Sequence, residues 1–350
     1  MNELFKHYKN YILLLVIPYL MIMFILVYPI DFNLQSPGGL TEVENLIEVD
    51  YNNDKSIEGT ISTTYIISLK RPTYFQFMLG TFTDYSTISV LTGSNLTYTN
   101  EEIATISYLD KAISVDASVI VAYQLAADSN SDIVIDYVAK TMVYGKAEYL
   151  DHYEDIAFGD QFVKLIGDND YEVTEIAEIA ANTVLEESYD WVFINEDDEQ
   201  YTVSLSKDEE YGLFGITLKT YYIVDKETTY PSYTESNSNI GGPSGGLLQT
   251  LSIYNMLVTD DLTHGLKIAG TGTITYDGTV GYIGGVEQKI ITAYLNKVDL
   301  FFMPSLDENY YYDNYQEALR VCEEYGIEPD GWLIPVGTFA EALDYLEGLN

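Results

Sequence analysis

Two side chains in the last third of this 350-residue chain can together carry out acyl transfer: Ser244 and Lys289. Ser244 lies in Asn239-Ile-Gly-Gly-Pro-Ser-Gly-Gly-Leu-Leu248, directly ahead of an apolar run of helical length, Leu247 to Leu257. Its glycine neighbours leave the hydroxyl approachable. A helix N-terminus also offers unpaired backbone N–H groups and a positive dipole end to an oxyanion. Gly242, Pro243 and Gly245 form the backbone around it. The same position suits a serine that merely caps the helix. Lys289 lies in Gly284-Gly-Val-Glu-Gln-Lys-Ile-Ile-Thr-Ala-Tyr294, which reads as a helix opened by a glycine pair. Val286, Ile290, Ala293 and Tyr294 make its apolar stripe, and Lys289 falls on that stripe. Burial there disfavours an ammonium and leaves a neutral amine, able to take the proton of a serine hydroxyl. A lysine at the stripe's edge would instead extend its charge to water.

The rival chemistries have weaker support in the residues. Gly242-Pro-Ser-Gly-Gly246 also fits G-x-S-x-G, the nucleophile elbow of α/β-hydrolases, which needs a histidine late in the chain. The histidines are His7, His152 and His264, and none follows His264. An esterase reading would therefore rest on His264, which sits in a turn-like Thr-His-Gly. The helical zinc motifs are absent, so no metal site is expected and no cofactor either. Cys322 is the one cysteine, in the helix-like run Glu317 to Tyr325; it has no disulfide partner in the chain and reads as a semi-buried helix residue. The 55 acidic residues outnumber the 16 basic ones and leave a net charge of -39, which repels polyanions and argues against nucleic-acid binding. So acidic a protein should also raise its lysine pKa values. An alkaline activity optimum that moves down as salt rises is the expectation.

These residues need a scaffold, and the length allows two or three domains. Residues 10–30 contain no charged side chain and are long enough to span a bilayer, with Lys6 and Lys9 before them. This predicts an uncleaved single-pass anchor in the cell membrane, with its N-terminus cytoplasmic and residues 31–350 outside. Residues 31–131 form an N-terminal region with a strand at Gly59 to Leu69 and a helical stretch over 101–128. In residues 132–224, Phe158 to Asp168 reads as turn, strand and turn, Val173 to Glu186 as a helix, and Trp191 to Asn195 and Tyr201 to Ser206 as paired strands. That order resembles the second half of a PDZ domain. Residues 225–350 alternate glycine-rich turns with strands and helices and end in a helix at Thr338 to Leu346.

From Ile240 to Leu346 the chain resembles the proteolytic domain of Lon-type proteases, which use a Ser-Lys dyad within Gly-Pro-Ser-Ala-Gly. Here Gly245 replaces the alanine, and Lys289 follows Gly284-Gly285 as the family lysine follows a glycine pair. Between them, Ala269-Gly-Thr-Gly-Thr-Ile-Thr275 and Asp277-Gly-Thr-Val-Gly281 match the strand-turn-strand that leads to the lysine helix. Thr271 matches the family threonine, and the resemblance implies that it orients the lysine. Thr273 departs from the acidic residue of cytoplasmic Lon. There is no G-x-x-x-x-G-K-[ST] loop, hence no ATPase module. The whole arrangement resembles the YlbL-like group of bacterial membrane proteases. The resemblance implies an α+β multidomain protein with a single N-terminal transmembrane helix, a β-rich PDZ-like unit and a Lon-type α/β proteolytic domain. It further implies an ATP-independent, membrane-anchored serine endopeptidase that acts on extracytoplasmic or membrane-tethered polypeptides, with self-association into a ring. A PDZ-bearing membrane adaptor without catalysis is the alternative.

Overall fold

The computed structural model describes residues 2–51, 55–167, 171–307 and 309–349. Helix α1 (Asn2–Val27) includes Glu3, Lys6 and Lys9 in its first turns and stops at Val27. The next residues belong to the folded body. Pro29 bridges to Thr73, the Ile30 N–H donates to the Pro72 carbonyl at 2.9 Å, and the rings of Phe24 and Tyr28 pack on Tyr74. The transmembrane anchor expected over residues 10–30 is therefore corrected. Among the described residues no helix is long and apolar enough to cross a membrane. The single-pass placement of residues 31–350 outside a membrane falls with it.

The chain continues through β1 (Phe32–Glu42), β2 (Ile47–Val49), β3 (Thr60–Lys70), α2 (Tyr74–Gly80), β4 (Thr87–Val90) and α3 (Ser94–Thr97) to the long α4 (Asn100–Ser129). A second run of strands follows: β5 (Tyr137–Lys146), β6 (Gln161–Ile166), β7 (Glu172–Val173), a single turn of helix α5 (Ile176–Ile179), β8 (Ser188–Ile194), β9 (Gln200–Ser206) and β10 (Ile216–Val224). The last part holds β11 (Tyr233–Glu235), α6 (Gly246–Leu257), β12 (Lys267–Gly270), β13 (Thr273–Ile274), β14 (Val280–Gly281), α7 (Val286–Leu295), β15 (Leu300–Pro304), α8 (Asn314–Tyr325), β16 (Leu333–Val336) and α9 (Phe339–Glu347).

The first sheet has the order β16-β15-β12-β3-β1-β4. Its β16, β15, β12 and β3 are parallel, whereas β1 runs antiparallel to β3 and β4. Strands β1 and β3 thus share one sheet with the C-terminal strands, while β2 pairs with β11. The β-branched run of β3 (TISTTYIISLK) suits a strand with a neighbour on each side. One face of the sheet is covered by α6 and α9, through Leu247, Leu248, Leu251 and Leu346, and α4 packs on α6 with Val119 and Ile120 in the same core. The other face is covered by α7 and α8, through Ile290, Ala293, Ala318 and Val321; Cys322 is buried among them. Each buried Val, Leu or Ile among these contributes about 1.5–3 kcal/mol, so this two-sided burial holds the parallel strands in place.

The second sheet, β10-β5-β6-β8-β9 with β7 beside β6, is antiparallel around Val143, Phe162, Leu165, Trp191, Phe193 and Leu205. The helix expected over 173–186 shortens to α5. Beyond it, the Asn182 and Thr183 side chains donate to the Glu178 and Ile179 carbonyls, and the Val184 N–H donates to the Tyr189 hydroxyl. Such local side-chain bonds compete with continued helix. The far end of the turn expected at Asp168 lies outside the described residues. Helix α4 opens with a Thr99–Glu102 capping box, then becomes buried from Ser114 to Tyr123 as it packs on α6, β13 and β10.

Candidate active site

Ser244 is held where a helix and a strand end meet. Helix α6 starts at Gly246 and its N-cap is Gly245, with no side-chain capping bond, so the Ser244 hydroxyl is not spent as a cap. The Ser244 carbonyl accepts the Gly272 N–H at 2.8 Å and the Thr271 hydroxyl at 3.0 Å. Thr271 follows β12 directly and is tied to β15 through its N–H, which donates to the Phe302 carbonyl at 3.1 Å. Gly246 has to be a glycine. A Cβ there would stand 2.8 Å from Ile274 Cγ2 and 2.9 Å from the Ile274 backbone nitrogen, so α6 approaches β13 only without a side chain.

Lys289 comes from the opposite face of the sheet. Helix α7 opens at Gly285, whose φ of +68° is left-handed and whose absent Cβ would lie 2.8 Å from Ile66. Lys289 then points inward and is only 2 % exposed, which removes the solvated-lysine alternative. Its Nζ lies 2.8 Å from Ser244 Oγ and 2.8 Å from Thr271 Oγ1, and Thr271 itself is fully buried. The Thr271 proton is committed to the Ser244 carbonyl, so its oxygen can only accept from Lys289. A neutral amine with one N–H placed on Thr271 is left with its lone pair free to turn toward the serine proton. Burial pushes the lysine down to about 7, with no neighbouring charge contributing. Burial is the cause at Nζ, and it acts against the upward shift expected from the chain's net charge.

The backbone around Ser244 separates into used and unused donors. Among the described residues, the N–H groups of Ser244 and Gly245 have no acceptor, while Gly246 N–H donates to the Pro243 carbonyl at 3.2 Å and Leu247 N–H to that of Gly272 at 3.1 Å. Of the three backbone residues expected to serve an oxyanion, Gly245 is therefore free to do so. Gly242 is not, because its N–H donates to the Ser107 carbonyl at 2.7 Å, and Pro243 has no N–H to offer. The hydroxyl faces a cleft of about 610 Å³ whose walls include Thr63 to Ile67 of β3, Ile240, Pro243 and Lys111.

The histidines play no part in this arrangement. His264 precedes β12, at the end of the strand away from Thr271, and its Nε2 contacts the Leu346 carbonyl at 3.0 Å. His152 pairs with Asp155 on the second-sheet side of the molecule at 2.9 Å. Sequence reasoning missed Gly272 and a row of α4 residues, Ser107, Lys111, Ser114 and Ser118, that contact the serine loop. Their spacing of four, three and four within an apolar helical run was the available signal.

Comparison with known proteins concerns this same segment. The chain is 32% identical over 105 residues to the Lon protease of Mesomycoplasma hyopneumoniae, covering 30% of this chain and 11% of that protein. It is 36% identical over 107 residues to the Lon protease of Malacoplasma penetrans, covering 31% and 13%. It is 42% identical over 69 residues to the Lon protease of Mycoplasma pneumoniae, covering 20% and 8%. The chain thus spans about a tenth of the length of these relatives. Residues 234–320, the stretch that contains Ser244, Thr271 and Lys289, match the Lon protease (S16) C-terminal proteolytic domain.

Proposed function

We propose that this chain is a serine endopeptidase in which Ser244 is the nucleophile, Lys289 the general base and Thr271 the residue that orients the lysine. One observation carries the reading: a buried lysine with both a serine and a threonine hydroxyl at 2.8 Å, inside the segment that matches a proteolytic domain. In the first step the neutral amine takes the Ser244 proton while Oγ attacks the scissile carbonyl. The oxyanion that forms is stabilised by the free N–H groups of Ser244 and Gly245 at the head of α6. The Lys289 ammonium then gives its proton to the leaving amine. A water molecule, activated by the restored amine, releases the acyl group.

Acyl transfer by a serine and a lysine consumes no ATP, so ATP-independent cleavage is part of this proposal. The cleft is open along β3, so the substrates are extended, unfolded polypeptides. The PDZ-like reading of residues 132–224 belongs to the same proposal. It is supported by the order of β6, α5, β8 and β9, and by a cavity of about 410 Å³ between α5 and the Gly212 to Gly215 loop.

The test is hydrolysis of an unfolded, fluorescently labelled polypeptide without ATP. Wild type should cleave it, whereas Ser244→Ala and Lys289→Ala should not. Equal cleavage by wild type and Ser244→Ala would refute the assignment, and loss on His264→Ala with an active Lys289→Ala would favour an esterase-type centre instead.

A further inference from the structure

The loop before α6 is held from a direction that the segment matched to a proteolytic domain does not include. Helix α4 lies at residues 100–129, and four of its residues on one face meet the serine loop in order. Ser107 accepts the Gly242 N–H at 2.7 Å through its carbonyl, and Lys111 Nζ donates to the Ser238 carbonyl at 3.3 Å. Ser114 Oγ donates to the Pro243 carbonyl at 3.0 Å, and Ser118 Oγ lies 2.7 Å from the Ser114 carbonyl and 3.0 Å from that of Gly246. The fit is close. A Cβ on Gly241 would lie 2.5 Å from Ser107 Oγ, and one on Gly246 would lie 2.9 Å from Ser114 Oγ.

The Ser114 bond has a consequence for the oxyanion site. In a planar trans peptide the carbonyl and the following N–H point in opposite directions. Drawing the Pro243 carbonyl toward α4 therefore turns the Ser244 N–H away from α4. The next peptide unit is fixed in the same manner by other residues, because Thr271 and Gly272 hold the Ser244 carbonyl and so orient the Gly245 N–H. Each of the two free donors is aimed by a partner on the far side of its own peptide plane. We propose that Ser114 is a positioning residue for the oxyanion site, acting through the Pro243–Ser244 peptide plane. The proposal rests on Ser244 being the nucleophile.

Ser114→Ala tests it, because it removes one hydroxyl from a buried helix face and leaves the Gly246 N–H as the remaining partner of the Pro243 carbonyl. With an unfolded polypeptide substrate, kcat should fall about 10- to 100-fold while KM changes by less than about threefold, as for a misaimed oxyanion donor. Affinity for a peptidyl boronic acid, which forms a tetrahedral adduct on the serine, should fall by the same factor as kcat. The pH midpoint of the rate should stay at the wild-type value. Hydrogen exchange of the segment 238–246 should quicken in the variant while α7 keeps its protection. A merely stabilising role would lower the melting temperature and leave kcat per folded molecule and boronate affinity unchanged, and that result overturns the proposal. So does unchanged exchange in segment 238–246, a readout that needs no catalysis. An active Ser244→Ala would instead refute the nucleophile assignment and is seen separately.

Discussion

Lys289→Met should make the protein's stability respond differently to pH, by an amount that follows from the buried amine. In the unfolded chain the lysine titrates near its ordinary 10.5, whereas burial brings it down to about 7 in the folded protein. Between those values the unfolded state holds a proton that the folded state has released, so stability rises with pH. The slope is about 1.4 kcal/mol per pH unit, and about 5 kcal/mol accumulates across the whole interval. Below about pH 6 both states are protonated and the deficit is full and constant, whereas above about pH 11 it is gone. Methionine fills a similar space with no charge to suppress. It forfeits the bonds to Ser244 and Thr271, worth about 0.5–1.5 kcal/mol each, but that loss does not grow with acidity. The assay is guanidinium unfolding of both proteins from about pH 6 to about pH 10. A Trp191→Phe background leaves Trp332, stacked on Phe301 beside the first sheet, as the reporter of the body that contains Lys289. Tyrosine and carboxylate titrations are common to both proteins and cancel in the difference. Wild type should gain on the variant by about 3 kcal/mol or more between about pH 7 and about pH 10. Parallel curves would refute a buried, neutral Lys289.

Other outcomes follow from the same geometry. The rate on an unfolded substrate should rise with pH through a single ionisation near 7 and then level off, with little dependence on salt, because the shift comes from burial alone; a midpoint that moves strongly with salt contradicts this. Thr271→Val keeps the shape of a fully buried side chain but leaves a Lys289 N–H without its acceptor, so kcat should fall about 100-fold with KM nearly unchanged, read by steady-state kinetics. Gly245→Ala places a methyl 3.0 Å from Thr63 Oγ1 and 3.3 Å from the flexible Gln249 amide and should keep most of the activity. Gly246→Ala meets backbone and should cost about 1–3 kcal/mol in denaturant unfolding. Asp116 on α4, raised to about 7 chiefly by burial, holds a proton that the unfolded chain has lost above about pH 4. Its contribution is lost as pH rises toward 7, so Asp116→Asn should stabilise the protein at pH 8 and not at pH 4.

The chemistry was legible where residue type and spacing carried it. Ser244 among glycines, Lys289 on an apolar stripe and Thr271 after a short strand are local patterns, and the fold brings all three within hydrogen-bond reach. Helices α6, α7, α8 and α9 and strand β3 lie close to where periodicity puts them. What local pattern could not show is partnership. Nothing in residues 32–70 says that β3 runs beside β12, a pairing across about 200 residues of chain. Nor does α4 announce in its own sequence that its serines clasp a loop beyond the second sheet. The hydropathy of residues 10–30 pointed to an anchor, yet Pro29 and Ile30 pair with the Pro72–Thr73 segment, a long-range contact invisible to a hydropathy window. Net charge is a sum over the whole chain, whereas the downward shift of Lys289 comes from its own dry surroundings, which composition cannot show.

The central claim, that a neutral Lys289 activates Ser244, is tested most directly by the pH dependence of Ser244 modification with a fluorophosphonate, followed by intact-mass spectrometry. The account predicts one label per chain, at Ser244, with a rate that rises through a midpoint near pH 7 and is lost in Lys289→Met. Labelling of Ser244 at the wild-type rate in Lys289→Met, or at a rate indifferent to pH, would contradict it.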